Sequence, residues 1–156
     1  MTAQSTSETA IQIRGAMLTD APVVYDFLCV LEEMALDTTA FQAVYERNLA
    51  NPFIYYLVAE LPGEVIGFVS CHVQFLLHHC GKVGEIQELF VHPDYRQRGI
   101  GHDLVATVQF LASQENCINL EVTTNQKRQD TIRFYERESF RSSHYKLVKP
   151  IKPISS

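Results

Sequence analysis

Apolar residues change their rhythm several times along this chain. Ile11 and Ile13 alternate with polar neighbours, the period of a strand with one buried face. Thr19-Asp20-Ala21-Pro22 reads as a helix start, a capping residue with proline in the first turn, and the helical spacing runs to about Leu36. Thr38 or Thr39 caps a second helix, which Asn51-Pro52 ends. The chain then turns aromatic and β-branched. Residues 53–60 (FIYYLVAE), the turn Leu61-Pro62-Gly63-Glu64 and residues 65–75 (VIGFVSCHVQF) predict a hairpin. Cys80-Gly81-Lys82 marks another turn before residues 85–91 (EIQELFV), so the meander is antiparallel.

From Gly101 to Gln114 the period is helical, with Leu104, Val108 and Leu111 on one face and Val105 and Ala112 beside them. Residues 117–124 (CINLEVTT) form a strand. Strand, crossover helix and strand make a βαβ unit, so the strands at 85–91 and 117–124 are expected to run parallel. Asp130 caps a short helix over TIRFYERES, and residues 140–149 (FRSSHYKLVK) alternate as a last strand. The order β-α-α-β-β-β-α-β-α-β predicts an α/β chain of the α+β kind, with one mixed, mostly antiparallel sheet flanked by helices. It reads as one domain over residues 11–150, with polar tails at 1–10 and 151–156.

Composition narrows the class. A chain of 156 residues favours one domain and can bury ~70% of its unfolded surface. Its net charge of −5 argues against nucleic acid, which needs a basic face. Cys29, Cys71, Cys80 and Cys117 show neither a CxxC pair nor a regular spacing, so a zinc site or a disulfide framework is not expected. No apolar run is long enough to span a membrane. The start, MTAQSTSETA, lacks the basic and apolar regions of a signal peptide. The expectation is a cytoplasmic protein with reduced cysteines. The oligomeric state stays open, a homodimer included.

Candidate chemistry begins at VHPDYRQRGIGHDLV, residues 91–105. A helix N-terminus offers unpaired N–H groups and about half a positive charge, which anions seek. Glycines let the backbone approach such an anion closely. Arg96, Arg98, Gly99 and Gly101, between a strand and a helix, fit that purpose. The stretch is neither GxGxxG nor a P-loop. On its own it is also compatible with a tight turn carrying surface arginines.

VxPxxRxxGxG resembles the acetyl-CoA-binding motif of the GCN5-related N-acetyltransferases (GNAT). Downstream, RFYERESF at residues 133–140 resembles that family's second signature, FYxxxGF, with Ser139 where the family usually has glycine. The resemblance implies a sheet that splays beside the glycine loop, with acetyl-CoA as cosubstrate in the splay. It places the pyrophosphate on amides of Arg96, Gln97, Arg98, Gly99, Ile100, Gly101 and His102, and the pantetheine arm along Leu89, Phe90 and Val91. Contacts near Asn125 and Arg128 follow from the same resemblance, although Arg128 stands where many members have asparagine.

Acetyl transfer to an amine needs a base, donors for the oxyanion and an acid for the leaving thiolate. A phenol stays protonated at neutral pH, and Tyr135 matches the tyrosine of the second signature, so the resemblance makes it the acid. The N–H of Val91 is the candidate oxyanion donor. For the base, Glu85 and Glu88 lie on one strand, and strict alternation would put them on opposite faces, Glu85 with Gln87, Leu89 and Val91. Members with a glutamate base carry it on this strand, and counting back from Arg96 favours Glu85, with Glu88 in reserve.

A narrower resemblance concerns the acceptor. Residues 75–91 (FLLHHCGKVGEIQELFV) and 123–150, with the segment TNQKR, are similar to the aminoalkylphosphonate N-acetyltransferases. That subfamily acetylates aminomethylphosphonate and 2-aminoethylphosphonate, and some members depend on a divalent metal. A phosphonate needs cations or strong donors. His78, His79, Lys127 and Arg128 are the candidates, with Arg141 and Lys146 beyond them. His78-His79 could alternatively hold a metal, although adjacent strand residues point apart. Other readings are an acceptor that is a polyamine, an aminoglycoside or a protein amine, and a non-catalytic acyl-CoA sensor.

Overall fold

Hairpin by hairpin, the chain builds its sheet in sequence order. β1 (Gln12–Gly15), β2 (Ile54–Leu61), β3 (Glu64–Leu76) and β4 (Gly81–Val91) pair antiparallel, and β5 (Asn119–Val122) joins β4 in parallel. In this computed structural model the described residues are 11–152. The expected tail at 1–10, and 153–156 of the tail at the other end, lie outside them. The chain divides into two compact units, one running through Val122 and the other beginning at Thr123.

The first unit holds the sheet and the helices α1 (Ala21–Glu32), α2 (Thr38–Leu49) and α3 (Ile100–Gln114). α1 stops at Glu33, which takes a left-handed conformation at φ 56°, so Leu36 lies past the helix and not within it. Asp37, one residue before the expected threonines, caps α2 by accepting the Ala40 N–H at 2.7 Å.

Helices cover both faces of the sheet. On one face, Val24, Phe27 and Leu28 of α1 and Tyr45 of α2 pack with Val58, Phe68 and Phe90. The Phe27 and Phe90 rings stack at 4.8 Å, fixing α1 over β4. On the other face α3 buries Leu104, Val105, Val108 and Ala112. It lies so close that a Cβ on Gly67 would stand 3.2 Å from Leu104 and 3.3 Å from the Phe90 carbonyl. Each fully buried apolar side chain contributes roughly 1.5–3 kcal/mol. Near the sheet edge, Arg14 forks onto Asp20 at 2.7 and 3.0 Å, and Asp20 also accepts the Met17 N–H.

The second unit carries α4 (Gln129–Arg137). Two expectations fail here. Asp130 does not cap the helix: Arg128 holds the N-cap position and Asp130 lies within the first turn. Residues 140–149 form no strand. Tyr145 and Leu147 are 87% and 93% exposed, so the alternation has no buried face. A period of two is a consequence of one-sided burial, and without a covering layer and a ladder partner it does not create a strand.

Candidate active site

The candidate carboxylates sit on β4, where the ladder with β3 slips. His72 faces Glu85 and Cys71 faces Ile86, but Ser70 faces Glu88, so Gln87 is the extra residue of a β-bulge. Cross-strand partners share a face, and Ser70 and His72 are two apart on β3. Glu85 and Glu88 therefore lie on the same face. The alternation rule gave the opposite, because it assumes an unbroken ladder. Leu89 and Val91, opposite Val69 and Gly67, belong to the other face, away from Glu85.

Glu88 is half-buried and lines a cavity of about 460 Å³ beneath α1 and the start of α2. Aromatic and aliphatic walls come from Leu28, Phe41, Tyr45, Tyr56 and Phe68. Two further carboxylates, Glu32 and Asp37, line it, and no Lys, Arg or His does. Burial pushes the Glu88 carboxyl up from its ordinary value, opposed by the Ser70 hydrogen bond and His72 and reinforced by Glu32. Tyr56 accepts a hydrogen bond from the Asn48 amide at 2.7 Å, and burial raises its phenol too. Glu85 is not among the lining residues; it accepts from the Gln87 amide at 2.8 Å. Ser70, Tyr56, Glu32 and Asp37 went unnoticed in the sequence. The one signal was a serine inside the apolar run VIGFVSC.

Beyond Ile86, β4 loses its parallel neighbour. The ladder with β5 runs from Val83↔Asn119 to Ile86↔Val122. Among the described residues no strand pairs with 87–91 on that side, which leaves a sheet edge at Leu89, Phe90 and Val91 able to receive an extended chain. The glycine turn follows directly. Gly99 precedes α3 at φ 81° with nothing within 4 Å of an added Cβ, so its backbone conformation is what calls for glycine. Gln97, at φ 62°, is left-handed as well. Ile100, Gly101 and His102 open the helix, and Gly99 accepts the Asp103 N–H at 3.0 Å. Arg96 donates from Nε to the Val91 carbonyl at 2.9 Å and lies over Phe90. Arg98 lies over Tyr95, whose hydroxyl is held by Glu64 at 3.0 Å. The arrangement presents helix amides and cationic side chains beside an open strand edge, which suits a diphosphate joined to an extended arm.

Within the second unit, Tyr135 is buried, with its ring 5.3 Å from Phe140. Burial pushes its phenol well above the ordinary value, so it is protonated across the working pH range. Ser139 is left-handed at φ 72°, which accounts for the glycine common at that signature position. Asn125 accepts the Lys127 N–H at 2.9 Å in a side-chain turn, and the Arg128 N–H bonds the Asn125 carbonyl at 3.0 Å. Lys127 is exposed and Arg128 half-buried just before α4.

His78 and His79 occupy a 3-10 turn between β3 and β4, their rings 4.3 Å apart, and His79 lies 4.0 Å from Glu121. Among the described residues no group of three or more His, Cys, Asp or Glu side chains is arranged to hold a metal ion. The donor set does not fit a divalent cation, and no step below depends on one. No helix among the described residues is long and apolar enough to cross a membrane.

An open strand edge, a glycine turn opening a helix and a tyrosine-bearing second signature define an acyltransferase. The chain belongs to the Acetyltransferase (GNAT) family, whose profile matches residues 22–140, and it is an acetyl-CoA-dependent N-acetyltransferase. It is 40% identical over 140 residues to an aminoalkylphosphonate N-acetyltransferase of Salmonella typhimurium, covering 90% of this chain and 91% of that one. An uncharacterized N-acetyltransferase of Archaeoglobus fulgidus is 32% identical, covering 74% of this chain and 85% of that relative. Among solved structures, an aminoglycoside N-acetyltransferase, AAC(6')-Iy in complex with CoA, has the same fold at a TM-score of 0.81 and 20% identity, over 93% of this chain and 96% of that one. The expected fold class and family are thereby met.

Proposed function

We propose that this N-acetyltransferase acetylates the primary amine of a small aminoalkylphosphonate, with Glu88 accepting the proton. The amine arrives as an ammonium ion, which the cavity carboxylates attract. Glu88 takes one proton, and the freed lone pair attacks the thioester carbonyl. As the C–N bond forms, the carbonyl oxygen gains charge, which the Val91 N–H receives. The C–S bond then breaks, and Tyr135 gives its proton to the leaving sulfur. The second ammonium proton leaves to water. Residues 96–102 hold the pyrophosphate, with Leu89 to Val91 along the pantetheine arm; Asn125 and Arg128 are the second unit's proposed cofactor contacts.

The observation that carries the catalytic part is the half-buried Glu88 carboxyl in the wall of an aromatic cavity. A carboxyl raised by burial is a better proton acceptor at neutral pH than an exposed one. Glu85 shares its face but lies outside the lining, so it is the second candidate. The acceptor is supported by the 40% identity to the Salmonella enzyme over nine-tenths of both chains. Lys127 and Arg128 are the proposed partners of the phosphonate; His78 and His79 are not, because their turn follows Leu76, about 20 Å along β3 from the Ser70 that faces Glu88, beyond the reach of a short aminoalkylphosphonate whose amine is at Glu88.

A second reading has its own support. A cavity bearing Glu32, Asp37 and Glu88 and no cationic side chain suits an acceptor with two ammonium groups, such as a polyamine. Rates of thiol release with aminomethylphosphonate, 2-aminoethylphosphonate and spermidine separate the two. The phosphonates should give the highest kcat/KM; a preference for spermidine would replace the first reading with the second.

A further inference from the structure

Ser70 is fully buried in the middle of β3, where an apolar residue would serve the core better. Both its hydrogen-bonding partners are on one residue. The Glu88 N–H donates to Ser70 Oγ at 3.0 Å, and the Ser70 hydroxyl donates to Glu88 Oε2. The hydroxyl thus closes a ring from the Glu88 backbone to its own carboxylate. The position is the slip itself, since the register changes between Ser70 and Cys71. A bulge leaves an irregular ladder, and Ser70 supplies an acceptor for the N–H there. The same contact fixes the direction of the carboxylate that the bulge turns into the cavity.

We propose that Ser70 is a positioning residue: it ties the bulged Glu88 to β3 and holds its carboxylate aimed into the acceptor cavity. This rests on the reading of Glu88 as the proton acceptor. The groups facing Glu88 are Glu32 from α1, Asp37 and Tyr45 from the start and body of α2, Tyr56 from β2, His72 from β3 and Glu85 from β4. Burial and Glu32 oppose ionisation. His72 and Ser70 favour it, and Ser70 does so by a direct hydrogen bond to the charged form. Without that bond, proton uptake by Glu88 becomes easier and its side chain is released from one rotamer.

The test uses the whole protein, labelled with carbon-13 at glutamate side chains, and follows the Glu88 carboxyl by NMR through a pH titration. Glu88→Gln identifies the resonance. In Ser70→Ala the midpoint should rise by about one pH unit, a tenfold change in the ionisation equilibrium. The acidic limb of kcat/KM should move the same way, and Ser70→Thr, which keeps the hydroxyl, should restore both. Circular dichroism and the CoA dissociation constant should match wild type. An unchanged Glu88 midpoint in a folded Ser70→Ala protein overturns the proposal. If Glu88→Gln keeps full activity, the base assignment fails instead, while the NMR midpoint still decides whether Ser70 controls Glu88.

Discussion

Glu85 and Glu88 project from the same face of β4, although they are an odd number of residues apart, because Gln87 is the extra residue of a bulge opposite Ser70 and Cys71. Only Glu88 reaches the cavity wall. The chemistry therefore depends on one inserted residue. It turns a carboxylate that would otherwise face α3 toward α1 and the acceptor.

Replacing Glu88 tests that first. Glu88→Gln keeps the shape and removes the base, so kcat/KM at pH 7 should fall by ~10²–10⁴. Affinity for CoA should be unchanged. Glu85→Gln should cost far less. Steady-state kinetics with a fixed amine, beside calorimetric titration of CoA, separates these effects.

The same substitution carries a stability signature. Burial raises the Glu88 carboxyl in the folded state, so the folded protein binds that proton more tightly than the unfolded chain does. The associated stability is present below the unfolded value of about 4.3 and lost as pH rises through the folded value. Glu88→Gln should therefore raise the Tm at pH 7 to 8, with the gain shrinking toward pH 4. Differential scanning calorimetry across that range checks the sign.

Asp20 has the opposite sense. The Arg14 guanidinium, bonded to both its oxygens, holds its carboxyl below the usual range. Its contribution is present above the unfolded value and is lost as pH falls through the folded one. Asp20→Asn should destabilise the protein at pH 7 by about 2–3 kcal/mol in denaturant unfolding, because Arg14 keeps its charge and loses a partner. The loss should diminish toward pH 3.

At the glycine turn, Gly99→Ala places a side chain at φ 81°. No atom obstructs it, so the cost is backbone strain of about 1–3 kcal/mol. Relief by rotating the turn misaligns the amides at the start of α3. CoA affinity should fall at least about tenfold, measured by calorimetry, with kcat for saturating substrates less affected.

These sites differ in how plainly the sequence announced them. The glycine turn was legible because its spacing is local: a strand, two arginines and glycines before a helical period. The antiparallel meander and the parallel β4–β5 pair were legible for the same reason. The face of Glu85 and Glu88 was not, since a bulge depends on how β3 pairs with β4 across many residues. Ser70 carries no local signature, since its partner Glu88 is eighteen residues away on the next strand. The segment at 140–149 had the alternation of a strand, but Tyr145, Leu147 and Val148 are all exposed, so it has no buried face.

Ser139 offers a small independent check on the second unit. A non-glycine residue at φ 72° after α4 is disfavoured by roughly 1 kcal/mol. Ser139→Gly should therefore stabilise the protein by up to about that amount, since glycine also raises the unfolded chain's entropy. Urea unfolding measures it.

The most direct measurement is kcat/KM for aminomethylphosphonate, 2-aminoethylphosphonate and spermidine, in wild type and in Glu88→Gln, from thiol release with acetyl-CoA. The account predicts highest turnover on a phosphonate in wild type and a loss of ~10²–10⁴ in the variant. Equal rates in the two proteins, or turnover of spermidine alone, would contradict it.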